Sequence, residues 1–187
     1  MRVLIVTFLA FQSLNHSKSW PKQFDAPKAK WTELKTSSGY NYETNSYLII
    51  ANQKIKQSTV DEITTLTESV RRALVLFPLQ LIVKGHQDNK KKHIVRIFEK
   101  ESEYLNSGTP KGTIGYFDGS SKEVKVSLEH LIETKNKGSN LQPRQRYRLL
   151  VHELIHQAMG DQFHALPTWL SEGIAEYFSA LQYAPGR

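Results

Sequence analysis

Two histidines and a glutamate interrupt the run RLLVHELIHQAMG, residues 148–160, whose other side chains read as a buried helix. Four residues of α-helix advance 400°, so His152 and His156 lie about 40° apart on one face, one turn from each other. Both imidazoles can then reach one ion. Glu153, offset by one position, holds its carboxylate beside that ion as a base. Leu149, Leu150, Val151, Leu154, Ile155, Ala158 and Met159 make the helix apolar nearly all round. Three polar groups packed there without partners would cost several kcal/mol of desolvation, whereas a divalent cation and its water satisfy all three.

The chain has no cysteine, which excludes disulfides, thiolate zinc fingers, a thiol nucleophile and a lipidated N-terminal cysteine. Any metal must therefore be held by His, Asp or Glu, and an imidazole-rich set suits Zn²⁺. Catalytic zinc takes three protein ligands and keeps one position for water. Downstream, PTWLSEGIAEYF offers Glu172 and Glu176 one turn apart in a second apolar helix. Fifteen residues, 157–171, separate His156 from Glu172, enough for a turn and an antiparallel return that presents Glu172 to the ion.

HELIH followed by LPTWLSEGIAEY resembles the gluzincin branch of zinc metallopeptidases, especially the short peptidase-MA-like domains of bacterial exported proteins. The resemblance is dense over residues 143–180 and fainter upstream. It implies one zinc per chain held by His152, His156 and Glu172, with Glu153 as general base and Glu176 accepting an N–H from a ligand histidine. The metzincin pattern fits worse, since Met159 and Gln162 stand where it needs glycine and a third histidine. His164 and His130 read as ordinary histidines. Gluzincins usually add an oxyanion-stabilising Tyr or His from beyond the glutamate helix. Tyr177 and Tyr183 are close in sequence, Tyr116 and Tyr147 lie upstream, and the sequence selects none of them.

Elements must position these groups. TNSYLIIAN, 44–52, reads as the domain's first strand, and Ser58 with Asp61 three residues on reads as the cap of an amphipathic helix that Pro78 stops. LQLIVKG and HIVRIFE, 93–99, follow as apolar stretches, the latter alternating as a strand. GTIGYFDGSSKEVKVSLEHL predicts a hairpin turning at DGSSK. Its second run, 122–128, reads as a half-exposed edge strand to which an extended peptide can add through Val124, Lys125 and Val126. Pro143 opens the HELIH helix, Gly160 caps it, and a last helix begins near Thr168. The expected fold is α+β: a small zincin-like domain with a mixed sheet, its edge strand packed on the HELIH helix, and a C-terminal glutamate helix.

The 187 residues suit one domain with a sizeable core, and 39% hydrophobic with 23% charged residues excludes wholesale disorder and a multi-span membrane protein. A net charge of +7 points to anionic partners, but the run Lys90–Lys91–Lys92–His93 reads as a solvated loop with no nucleic-acid motif beside it, so no nucleic-acid partner is expected. Arg2 followed by the apolar run Val3–Phe11 reads as a signal peptide or short membrane anchor. The alternative is a buried first strand in a cytoplasmic protein. The expected organisation is a targeting segment at 1–17, a linker at 18–39 and the domain at 40–187, short for the family and read as minimal, truncated or completed by a partner. The sequence thus predicts an exported or cell-envelope zinc metallopeptidase acting on peptides or proteins, with association at the envelope or membrane surface. Its competitor is an inactive module that binds peptides or anionic envelope polymers.

Overall fold

Period-two burial sets the sheet. In β4 (Tyr47–Ala51), β5 (His93–Phe98) and β7 (Glu123–Ser127), the side chains of Tyr47, Ile49, Ala51, Val95, Ile97, Val124 and Val126 are buried on one face. The computed structural model describes residues 23–24, 28–77, 92–132, 147–160 and 165–183. Among these, β2 (Thr32–Thr36), β3 (Gly39–Glu43), β4, β5, β7 and β6 (Gly115–Asp118) form, in that order, a six-stranded mixed sheet. The central β4, β5 and β7 are parallel, and the flanking pairs are antiparallel. A separate two-residue pairing joins β1 (Gln23–Phe24) to β8 (Gln182–Tyr183).

Helix α1 (Gln57–Leu76) and helix α4 (Arg148–Met159) cover the apolar face, with Val60, Ile63, Leu66 and Val70 from one and Leu150, Val151, Leu154 and Ile155 from the other in a single core. Each such side chain, fully buried, contributes about 1.5–3 kcal/mol, so the helix bearing the histidines is firmly seated. The short helices α2 (Glu101–Asn106) and α3 (Leu128–Ile132) follow β5 and β7, and α2 packs Tyr104 on Phe98 with ring centroids 6.2 Å apart. Helix α5 (Thr168–Ser179) packs against α4. The architecture is α+β, as expected.

Several expectations need correction. The span 18–39 is not all linker: Thr32–Thr36 forms the outer strand of a hairpin with Gly39–Glu43. Its burial pattern is almost wholly exposed, so it lacks the apolar alternation that marks a strand in sequence. Gly39 makes the turn at φ 138°, where an added Cβ would lie 2.1 Å from the Ala51 carbonyl oxygen. Trp31 pins this segment, donating from Nε1 to Asp61 at 2.8 Å. Tyr47–Ala51 is consequently the third strand across the sheet. Ser58 does not cap α1. The cap position is Lys56, and Asp61 instead engages Trp31 and Lys28.

The 122–128 run is not an edge. Strand β7 has β5 on one side and β6 on the other, Val124 and Val126 are completely buried, and Lys125 pairs with Asp118 at 3.0 Å. Its backbone hydrogen bonds are already used, so Val124, Lys125 and Val126 cannot take an added strand. The edge is β6. The run at 1–17, the stretch 79–85, Pro78, Pro143, His164 and Trp20 lie outside the described residues. No helix among the described residues is long and apolar enough to cross a membrane.

Candidate metal centre

Helices α4 and α5 run antiparallel, since positions 148, 152 and 156 of one meet 179, 176 and 172 of the other. Near the C-terminal end of α4, three side chains converge. His152 Nε2 lies 2.9 Å from His156 Nε2 and 3.2 Å from Glu172 Oε2, and His156 Nε2 lies 3.5 Å from Glu172 Oε1. Tetrahedral zinc with bonds of about 2.0–2.1 Å separates its ligands by roughly 3.3 Å. The observed spacings bracket that value, and two imidazole nitrogens with a carboxylate are a donor set zinc accepts. Burial, with His152 adjacent, pushes the His156 pKa down and so favours the neutral imidazole that a metal ligand must be.

The back of the cluster is tied down. His152 Nδ1 lies 3.3 Å from Glu176 Oε1, and the other oxygen of Glu176 takes a hydrogen bond from Arg148, whose Nε also reaches Ser179 Oγ at 3.4 Å. The Arg148 guanidinium lowers the Glu176 pKa, keeping it a carboxylate able to accept an N–H. That bond assigns the proton of His152 to Nδ1 and leaves Nε2 facing the cluster.

Glu153 points toward the edge strand. Its Oε2 accepts the Phe117 backbone N–H at 2.8 Å, while burial raises its pKa against the opposing effects of His152 and this hydrogen bond. The contact depends on Gly115. A Cβ there would stand 2.8 Å from Leu149 Cδ2 and 3.4 Å from Glu153 Cγ, so the absent side chain lets β6 lie directly on α4. The resulting cleft, about 670 Å³, is lined by Gly115, Tyr116, Phe117, His152, Glu153 and Glu172, with Lys122 and Gly160 farther along.

Every histidine and glutamate the sequence singles out as ligand, base or supporting acid meets here. His130 does not, lying instead on α3 with Nε2 3.6 Å from Glu101. Nor do the candidate tyrosines complete the site. Tyr147 donates to Glu62 at 2.5 Å, Tyr183 donates to the Phe178 carbonyl at 3.0 Å, and Tyr177 packs on Phe77. Tyr116 lines the cleft, but alternation along β6 turns it to the face opposite Gly115 and Phe117.

Four contributors escape the sequence reading. Arg148 had a usable signal, four residues before His152 on the same helical face. Gly115 had another, a glycine inside a strand run. The Phe117 amide had none, because any residue supplies a backbone N–H. Gln157, whose Nε2 donates at 2.9 Å to both the Ile94 and Lys122 carbonyls, ties α4 to the starts of β5 and β7 and likewise carries no local mark. Compared with known proteins, the chain matches no protein-family model, no curated protein and no solved structure.

Proposed function

We propose that this protein is a zinc-dependent peptidase of zincin-like fold, with His152, His156 and Glu172 holding the metal. The observation that carries the reading is the placement of the Glu153 carboxylate: one cleft holds it beside three converging donor atoms and against an edge strand. Zinc, when bound, supplies Lewis acidity that polarises a carbonyl and acidifies water. Glu153 takes the proton of the attacking water and returns it to the leaving nitrogen. Its raised pKa suits a group that must both accept and release a proton near neutrality. The outer edge of β6, with the Phe117 N–H already given to Glu153, offers its backbone groups to an extended peptide that aligns beside Glu153. The same reading assigns the protein to the cell envelope or exterior, through the apolar run at 3–11.

A binding module without turnover is the second reading. It draws on the tyrosines: Tyr147, Tyr177 and Tyr183, weighed as oxyanion stabilisers, are engaged away from the cluster. A peptide-library cleavage assay with chelation and zinc add-back separates the two. The peptidase reading expects cleavage lost on chelation and restored by zinc, and Glu153→Gln retaining zinc while losing turnover. Undiminished turnover in Glu153→Gln removes the assignment, and binding without cleavage by the zinc-loaded wild type favours the module.

A further inference from the structure

Strand β2 ends the six-stranded sheet, and its five residues read as a charge palindrome, Thr-Glu-Leu-Lys-Thr. Residues paired across neighbouring strands share a face. Glu33 and Lys35 stand opposite Tyr42 and Tyr40, on the side of the helices, whereas Leu34 stands opposite Asn41 on the other side. The first four residues of the strand are exposed, and Leu34 keeps 64% of its surface in water. Glu33 pairs with Lys54 at 3.0 Å, but among the described residues no carboxylate pairs with Lys35. The ammonium groups of Lys35 and Lys54 lie 6.0 and 5.9 Å from the Tyr40 ring, so two cations share one ring.

An unpaired edge is a template for another strand, and a lysine on it ordinarily keeps other strands away. Here the palindrome turns that repulsion into attraction for one partner in one register. When a second copy of β2 lies antiparallel with Leu34 against Leu34, each Glu33 faces a Lys35 of the other copy, so two opposite-charge pairs form at once. Slipping the register by two residues either way sets Glu33 against Glu33 or Lys35 against Lys35. Parallel in-register pairing does both. We propose that β2 docks on β2 of a second copy in the register centred on Leu34, joining two six-stranded sheets into one. Leu34 then covers its counterpart, and the charge of Lys35 is met. Because β6 ends each sheet on the far side, the two clefts open at opposite ends, roughly 50 Å apart at about 4.8 Å per strand. The contact is at the small end of interface sizes, under about 1,200 Å², so the dimer is weak and exchanges with monomer. It needs no metal at the histidine cluster and stands apart from the peptidase reading.

The full-length chain should sediment as a monomer–dimer equilibrium between about 10 µM and 1 mM, the range of such small contacts. Glu33→Lys alone and Lys35→Glu alone each place like charges at both crossings and should weaken association about tenfold. An equimolar mixture of these two variants puts unlike charges at every crossing again and should regain the wild-type association. The absence of cysteine permits a separate check of register. Leu34→Cys sets two sulfurs at directly opposed positions, with Cα atoms about 4.5–5.5 Å apart, and should give a covalent dimer under diamide. Thr32→Cys leaves its two copies about 14 Å apart, four residues along the strands, and should stay unlinked. A chain that is monomeric throughout the concentration range overturns the proposal. So does a dimer indifferent to both single substitutions, which assigns association to another surface. A mixture that fails to recover rejects the charge crossing, and equal cross-linking at 32 and 34 rejects the register.

Discussion

Glu176 meets His152 on the side of the ring away from His156 and Glu172, its Oε1 3.3 Å from Nδ1. Arg148, one turn before His152 on α4, holds the other carboxylate oxygen. The arrangement fixes ring orientation and tautomer before any ion arrives. Removing such a support typically costs 10- to 100-fold in metal affinity, so Glu176→Ala should lower zinc affinity by about that factor. Arg148→Met should cost only a few-fold, about 0.2–1 kcal/mol, because the pair is half exposed. If Arg148 acts through Glu176, it should cost nothing further once Glu176 is alanine. Competition against a chromogenic chelator measures all four proteins, and additive losses would reject the relay.

Gly115 sets the distance between the edge strand and the helix that carries Glu153. An alanine there brings its Cβ to 2.8 Å from Leu149 Cδ2, a movable side-chain end, but valine adds two more carbons in the direction of Glu153. Gly115→Ala should be tolerated with a small loss of stability, about 1 kcal/mol, and Gly115→Val should cost about 1–3 kcal/mol by overpacking. The valine variant should also part Phe117 from Glu153 and lower peptide turnover while zinc affinity stays within a few-fold. Parallel chelator titration and cleavage assays check this. Equal damage to both readouts would show that the strand and the metal cluster are not separable.

The His152–His156–Glu172 cluster was legible because helical geometry is local. His152 and His156 share a face by spacing alone, and the return helix brings Glu172 with them. The sheet was legible where both faces mattered, as in the alternation of Tyr47, Ile49 and Ala51. It was misread where neighbours decide. Glu123–Ser127 looks like an edge strand because Lys125 and Ser127 are polar, yet both sit inside the fold, Lys125 against Asp118. Thr32–Thr36 looks like a linker because a true edge strand exposes both faces. Alternation reports which side chains are buried and not which strands lie alongside, so order across the sheet needed coordinates.

Gln157 should matter more to the fold than its polarity suggests. Its amide donates to two carbonyls, of Ile94 and Lys122, that otherwise face a buried helix. Gln157→Leu keeps the volume but removes both hydrogen bonds, at a cost of about 0.5–1.5 kcal/mol each. The expected result is a lower urea midpoint with an unchanged slope. An unchanged midpoint would mean that water replaces the amide.

Asp118 and Lys125 join the edge strand to its neighbour and should give the acid response of that edge. Lys125, helped by the Ser120 and Ser121 amides, lowers the Asp118 pKa to about 2, against about 3.9 for the free side chain. A depressed folded-state pKa stabilises the protein above the unfolded value, and that contribution drains as pH falls from about 4 toward 2. The pair is partly exposed, so solvent screening limits it to about 1 kcal/mol. Urea midpoints of metal-free wild type and Asp118→Asn should therefore differ at pH 5 and converge by about pH 2. Lys125→Met should behave like Asp118→Asn, because either change removes the same pair. A gap between wild type and Asp118→Asn that persists undiminished at the acid end would show that Asp118 stabilises the hairpin through its turn hydrogen bonds and not through its charge.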